Sequence, residues 1–584
     1  MFFQIKQFFI RHYWALIFSI SAGFLMIFPQ VIFIIQAGPD YAGINILATD
    51  SEANFLARFQ EIAEGDFDFL NVFWTFNQDK PYIQPPLAET LMYKFGRIFF
   101  SKVSQIFLLA KFILPALLFL VIYFFVLLFN SDKKIALVSS VGVMFYYSLG
   151  SVSEFKSFLA KNFIIPEPSI FSRPIVPVFG LILLFSFLSF LYLYITQSKK
   201  RYLWPAGICF GLSFYIYFFT WTFLVVFIFV SALWFLIKRD WLNLKKIFWI
   251  IFLSALIALP YWFNLYKLLN NPIFDSSASQ TGFIISNSPI IGKYLIIVLI
   301  LYFLNLYTKR IRGENLWFWS ILIISFFTVL NQQIITGRIL QPAHYHWYII
   351  KPTVIILLVW FVFGLIQDKH PKYFWLSTSV FAVIGFYLIT GQQIFVFLKN
   401  EGEVNAYAKQ YGSVFNWLNQ NMEKEQSIFT GISYTGQRGY VNLYTHLDEY
   451  LIKNRYHWIH YEAISGENRL YVLFLEYRLN KITPEMAEKL FFRDLRDEIF
   501  FRLLGYEYRL SYTDKDQEAS DDMVRKILNE YTEFYQISLE SAFKKYPVDY
   551  ILWDGQLNPE WSLDEYNFLE RIYEVKNIKI YKFI

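Results

Sequence analysis

The sequence predicts a polytopic α-helical membrane protein, N-terminus inside and C-terminus outside, with a soluble α/β domain at its C-terminal end. Hydrophobic residues make up 56% of the 584-residue chain and charged residues 17%. The apolar positions fall in blocks rather than on periodic faces. Short Lys/Arg-rich loops occupy every second connection between those blocks.

The blocks 12–36, 104–130, 135–150, 174–197, 202–218, 219–237, 247–266, 294–308, 316–335, 350–367 and 373–397 read as about eleven spans. A Leu, Ile, Phe or Val near a helix centre favours insertion by about 0.3–0.6 kcal/mol, and a central Lys, Arg or Asp costs about 2.5–3.5 kcal/mol. Block 174–197 holds no charge. The 202–237 stretch is long enough for two helices if the chain turns near Tyr217–Thr220. An aromatic content of 21% suits broad interfacial belts. The first block is too long in its apolar core for a cleavable signal.

Orientation follows from the basic loops. Lys6 and Arg11 precede the first span. Lys133/Lys134, Lys199/Lys200/Arg201, Lys238/Arg239/Lys245/Lys246, Lys309/Arg310/Arg312 and Lys369/Lys372 mark the cytoplasmic connections. Loops 37–103, 151–173, 267–293 and 336–349 then face outward from the plasma membrane, with everything after about residue 398. The net charge of +6 resides in the inner loops, so it gives no reason to expect nucleic acid as a partner. Cys209 is the single cysteine, which rules out an intrachain disulfide and a multi-thiolate metal centre.

Beyond the last block, charges become frequent and apolar runs shorten. The chain divides into a membrane domain, 1–398, with its long outer loop 37–103, and an extracytoplasmic domain, 399–584. In the latter, Val414–Met422 reads as helix, and Arg469–Glu476, Val548–Trp553 and Ile578–Ile584 as strands. Helices and strands in alternation predict an α/β fold.

The first outer loop carries the most chemistry. Thr49-Asp50-Ser51-Glu52 fits the S/T-x-x-E capping box, with Thr49 as N-cap and Glu52 reaching back. Phe55, Leu56, Phe59, Ile62 and Ala63 share one helical face, with Asp50, Asn54, Arg58 and Glu61 on the other. Such a helix is expected to lie flat on the membrane, apolar face down. Glu52 is then a cap that Gln would replace at little cost, or a catalytic acid. Asp50 either complements the helix dipole or does chemistry at the lipid boundary. Asp66-Phe67-Asp68 spells a D-x-D, a metal-binding motif of soluble glycosyltransferases, but a turn at Glu64–Asp66 explains it as well. Gln84-Pro85-Pro86-Leu87 is a rigid extended segment leading to the second span.

An outward Asp opening a surface helix after the first span, then G-D-[FW] and x-P-P-L, resembles the GT-C superfamily. Its members include protein O-mannosyltransferases, the lipid A aminoarabinose transferase and many bacterial RgtA/B/C/D-like proteins. The resemblance covers the topology of 1–398 and the details of about 45–100. It implies a glycosyltransferase that moves a sugar from a polyprenyl-phosphate carrier to a glycan, lipid or protein acceptor, usually with inversion. The family's Asp is often followed directly by Glu; here Ser51 intervenes. Asp50 is favoured as the catalytic acid, with Glu52 the alternative.

Among the other outer loops, Glu154 and Glu167 are acids of the second. The resemblance to oligosaccharyltransferases makes Glu167 a candidate to share a divalent metal with Asp50; a solvated loop acid is the alternative. Arg173 can hold a lipid phosphate bidentately or anchor at headgroups. The fourth loop gathers Asn331, Gln332, Gln333, Thr336, Arg338, Gln341, His344, His346 and Lys351, polar groups that are costly at a bilayer boundary without a purpose. Arg338, His344, His346 and Lys351 are candidates to hold the carrier phosphate as its charge develops. His344-x-His346 without a third ligand is a weak metal motif. His446, His457 and His460 read as ordinary histidines of the C-terminal domain. Two rival functions are a transporter or flippase of lipid-linked sugars and a scaffold with a degenerate membrane half. Transporters place ionisable groups at mid-membrane, whereas here Lys111 stands nearly alone within a span.

Overall fold

The computed structural model describes residues 2–67, 81–82, 84–150, 152–161, 164–270, 283–424, 426–430, 440–450, 466–494, 521–545 and 547–584. Among the described residues the longer helices of the membrane part are α1 Phe2–Ala37, α2 Asp50–Glu64, α3 Leu87–Gly96, α4 Val103–Phe129, α5 Lys133–Phe145, α6 Val152–Ala160, α7 Gly180–Gln197, α8 Leu203–Ser213, α9 Phe218–Ile237, α10 Trp241–Leu269, α11 Lys293–Tyr307, α12 Glu314–Asn331, α13 Lys351–Lys369 and α14 Pro371–Asn421. The protein is a polytopic helical membrane protein with a small C-terminal sheet.

Each of the expected blocks contains a helix, but among the described residues eight are long and apolar enough to cross a membrane. The other three, α5, α8 and α11, have 13, 11 and 15 residues. At about 1.5 Å per residue they span about 17–23 Å, short of a hydrocarbon core of about 30 Å. Helix α8 stops where the turn is expected: Tyr217 is extended at φ −154° and ψ 125°, and α9 starts at Phe218.

Close helix contacts use glycine. A Cβ at Gly23 of α1 would lie 2.3 Å from the Phe112 carbonyl oxygen of α4. Gly207 and Gly211 form a G-x-x-x-G on α8, and Cβ atoms there would meet Leu253 and Ile257 of α10 at 2.5 and 2.7 Å. Membrane helices associate by such backbone approach, because burying apolar surface from lipid gains little.

Helix α14 runs unbroken for 51 residues, about 77 Å, through residue 398. It leads into a five-stranded sheet of order β4-β3-β5-β7-β6: β3 Ser427–Thr430, β4 Asp448–Glu449, β5 Tyr550–Asp554, β6 Leu569–Val575 and β7 Ile578–Phe583. Strand β3 pairs parallel with β4 and β5, whereas β7 is antiparallel to both β5 and β6. Arg469–Glu476, expected as a strand, lies within a helix, Gly466–Leu479. Tyr471, Leu473, Phe474, Leu475 and Tyr477 are all buried there, so no polar face marks a helical period, and a short apolar run alone is ambiguous. Between helices of the membrane part, β1 Phe283–Ile285 pairs antiparallel with β2 Arg338–Leu340, Ile285 opposite Arg338.

Candidate active site

The start of α2 organises one end of the bundle. Thr49 is extended, and its side chain accepts a hydrogen bond from the Glu52 N–H at 3.3 Å. The Glu52 carboxylate reaches back to the Ala48 N–H (3.4 Å), one residue before the expected cap partner. Its main partners lie elsewhere. Lys111 Nζ of α4 donates to Oε2 at 2.7 Å and Ser172 Oγ donates to Oε1 at 2.7 Å. Glu52 is fully buried and Lys111 is 4% exposed. The expectation that Gln would replace Glu52 at little cost is therefore corrected: Gln would leave an ammonium buried without its counter-charge. Asp50 opens α2, and its side chain lies outside the described residues.

Helix α2 is covered by protein on both of its faces. Phe55, Leu56, Phe59 and Ile62 are buried as the pattern predicts, but Arg58 and Glu61 on the opposite face are buried too. Arg58 Nε donates to Glu89 Oε1 of α3 at 2.5 Å, and Nη2 donates to the Gln84 carbonyl at 3.0 Å. Helices α3 and α4 and a short helix of the C-terminal domain, Tyr440–Tyr444, pack around α2. The Tyr444 hydroxyl accepts from the Asn45 N–H at 2.8 Å. Arg58 of the polar stripe is thus matched by partners from other parts of the chain.

At the far end of α2, Gly65 adopts φ 111° and the Gly65 and Asp66 N–H groups both donate to the Glu61 carbonyl. This is the turn expected at Glu64–Asp66, with glycine where a left-handed helix stop requires it. Asp68, the second acid of the D-x-D, lies outside the described residues. Burial raises the Glu61 carboxyl well above the usual range, with the charges of Asp448, Glu64 and Asp66 adding to it. Burial also pushes Glu64 up to about 8, against the hydrogen bond from Gln60.

Ser172 ends a short turn that Ser169 caps by accepting from the Phe171 N–H. The next residue, Arg173, is half-buried, and its Nε has no hydrogen-bond partner. Its guanidinium lies within electrostatic range of Tyr348, Tyr147, Tyr217 and His344. Tyr217 Oη and His344 Nδ1 are hydrogen-bonded at 2.8 Å. One residue on, Tyr345 Oη and Thr222 Oγ1 are bonded at 2.8 Å. They line an apolar groove of about 450 Å³ between α9 and α12, with Phe218, Trp221, Val329 and Arg338 also in its lining. The Arg338 side chain is exposed.

The structure thus ties the α2 entry to the residue before Arg173 through the Ser172–Glu52 contact, and Arg173 in turn lies within electrostatic range of His344 and Tyr348. Lys351 is set apart: it is 2% exposed, donates to Glu154 Oε2 at 3.0 Å and sits 4.1 Å from the Tyr147 ring centre. The two histidines face different neighbours. His346 packs against Gly292 and Tyr294, with its Nδ1 buried and unpartnered. Glu167 is exposed, and its carbonyl accepts from Gln392. Among the described residues no three His, Cys, Asp or Glu side chains converge as metal ligands. His446 bonds the Met422 carbonyl at 2.9 Å; His457 and His460 lie outside the described residues.

Ser172, Tyr217 and Tyr348 were not singled out by sequence as partners of this site. Lys111 did carry a signal, since a lone cation inside a span demands a buried partner. The tyrosines carried none, being indistinguishable from 41 tyrosines in all.

No protein-family model matches the chain, and no curated protein sequence matches it. Two solved structures are similar in arrangement. One is the archaeal oligosaccharyltransferase AglB from Archaeoglobus fulgidus, in complex with an inhibitory peptide and a dolichol-phosphate: 12% identity and a TM-score of 0.45, covering 94% of this chain and 70% of that one. The other is ArnT from Cupriavidus metallidurans bound to undecaprenyl phosphate: 10% identity and a TM-score of 0.41, covering 94% of this chain and 97% of that one.

Proposed function

We propose that this protein is an outward-facing membrane glycosyltransferase that takes a sugar from a polyprenyl-phosphate carrier and gives it to an extracytoplasmic acceptor hydroxyl. The observation that supports it is the tie of the Asp50-bearing helix start to Ser172, the presence of Tyr348, His344 and Tyr217 within electrostatic range of Arg173, and an apolar groove lined in part by Arg338. A carrier with an apolar tail and an anionic head asks for that combination. The reading keeps the N-terminus inside, the C-terminal domain outside and a polyprenyl-phosphate donor.

In the proposed reaction Asp50 accepts the acceptor hydroxyl proton as that oxygen attacks the anomeric carbon. The bond from the anomeric carbon to the carrier phosphate oxygen breaks, and its electron pair leaves with the phosphate. Arg338 and Arg173 stabilise the departing charge. A single displacement inverts the anomeric centre. Lys351 supports this site through Glu154 and Tyr147, not through the phosphate directly.

The test is transfer from a synthetic polyprenyl-phosphate sugar by the purified protein. Asp50→Asn should lower the rate by about 10²–10⁴ while eluting as a folded species in detergent gel filtration. Full activity in that variant refutes Asp50 as the base. Orientation is checked in a Cys209→Ser background: a cysteine at Glu488 should react with an impermeant reagent in intact cells. Labelling only after lysis would put the C-terminal domain on the wrong side.

A further inference from the structure

We propose that Glu52 is a positioning residue, tying the first turn of α2 to Ser172 so that Asp50 and Arg173 are held at a set separation across the reaction centre. This rests on the transfer reaction proposed above.

Two distant segments meet the start of α2 on this one carboxylate. Oε1 accepts from Ser172 Oγ at 2.7 Å, and Oε2 accepts from Lys111 Nζ at 2.7 Å and from the Ala48 N–H at 3.4 Å. Ser172 is 3% exposed and Glu52 fully buried, so water does not compete for these bonds. Along the chain, Asp50 stands two residues before Glu52, and Arg173 directly follows Ser172. The tie therefore runs between the backbone that carries the proposed base and the backbone that carries a proposed phosphate ligand. Along the chain those backbones are separated by more than a hundred residues and by α3 to α6.

Stability alone does not account for such a group. A buried ion pair is seldom better than apolar residues of the same volume, because taking both charges out of water costs several kcal/mol per ion. What a carboxylate does provide is direction. Two oxygens accept from opposite sides and fix three segments at hydrogen-bond distances, which an apolar contact does not do. Reactions that depend on placed groups lose about 10²-fold for a displacement of about 1 Å. Lys111 sets its ammonium against the carboxylate from α4 at 2.7 Å.

Ser172→Ala separates the two roles. It leaves the Glu52–Lys111 pair and the packing of α2 in place and removes only the bond toward Arg173. The double variant Glu52→Gln/Lys111→Met removes both charges without stranding either. The full-length protein in nanodiscs is assayed with a synthetic polyprenyl-phosphate sugar for kcat and KM, alongside thermal unfolding and binding of the polyprenyl phosphate alone. The expected result is a 10–100-fold fall in kcat for both variants, less than threefold change in donor KM, and parent-like unfolding temperature and carrier binding. A purely structural Glu52 would instead lower unfolding temperature and active fraction together, leaving kcat per folded molecule unchanged; that result overturns the proposal. Parent-like kcat in Ser172→Ala also overturns it while the transferase reading stands. A parent that neither transfers the sugar nor binds the carrier refutes the transferase reading, and the positioning role with it.

Discussion

Breaking the Glu52–Lys111 pair from one side should be far more costly than removing it whole. The charged atoms are 2.7 Å apart, with side chains 0% and 6% exposed. At an effective dielectric of about 20 their attraction is about 6 kcal/mol. The desolvation penalty, several kcal/mol per ion, is of the same order. The pair as a whole therefore sits near balance, whereas one stranded charge retains the penalty without the attraction. Lys111→Met should destabilise by about 3–5 kcal/mol, and Glu52→Gln by a similar amount. The double variant should lie within about 1–2 kcal/mol of the parent, because Met and Gln fill nearly the same volumes. Reversible unfolding in mixed micelles, followed by tryptophan fluorescence, gives all four corners of the cycle. The coupling should be several kcal/mol in favour of the double variant. Additivity within about 0.5 kcal/mol would refute the pairing, since that is how independent sites behave.

Other outcomes can be checked the same way. Glu64 titrates near 8 in the folded protein against an ordinary 4.5, and Glu61 is shifted upward as well. The folded state thus holds protons that the unfolded state has released. The resulting stability is fully present below about 4.5 and is lost as pH rises through about 8. Unfolding measured from pH 5 to 9 should show stability falling, and Glu64→Gln should flatten the fall; a rise with pH would contradict the assigned direction. Arg338→Ala should weaken use of a lipid-linked donor by about 1.5–3 kcal/mol with little effect on folding, since the side chain is exposed. Lys there should rescue only in part, and unchanged donor kinetics in both variants would remove Arg338 from the site. Gly211→Leu would force its Cβ to 2.7 Å from Ile257 Cβ. It should cost about 1–3 kcal/mol or more in thermal stability; a neutral result would argue against the α8–α10 contact.

Local and compositional properties were open to inspection in the one-dimensional chain. Charge-free blocks such as 174–197 must be helical in lipid, because each backbone N–H and C=O has to be satisfied within its own segment. Thr49 and Glu52 are three residues apart, so their cap can be read from spacing alone. Gly65 marks the helix stop by its tolerance of positive φ. The β5 and β7 strands at Tyr550–Asp554 and Ile578–Phe583 follow from short apolar runs near turn residues. Tertiary structure decided what faces what. The stripe of Arg58 and Glu61 has the pattern of a wetted face, yet Glu89 of α3 and the helix at Tyr440–Tyr444 cover it, and no periodicity records a partner 31 residues or nearly 400 residues away. Helix Gly466–Leu479 lacks a polar face because it is buried, so its sequence looks like a strand. Glu52 carries the same lesson at the site: spacing assigns it to a helix cap. Its stronger partners, Lys111 and Ser172, stand 59 and 120 residues along the chain. They are brought to it only when α2, α4 and the turn before α7 pack together, since hydrogen bonds depend on distance in space and sequence separation sets none.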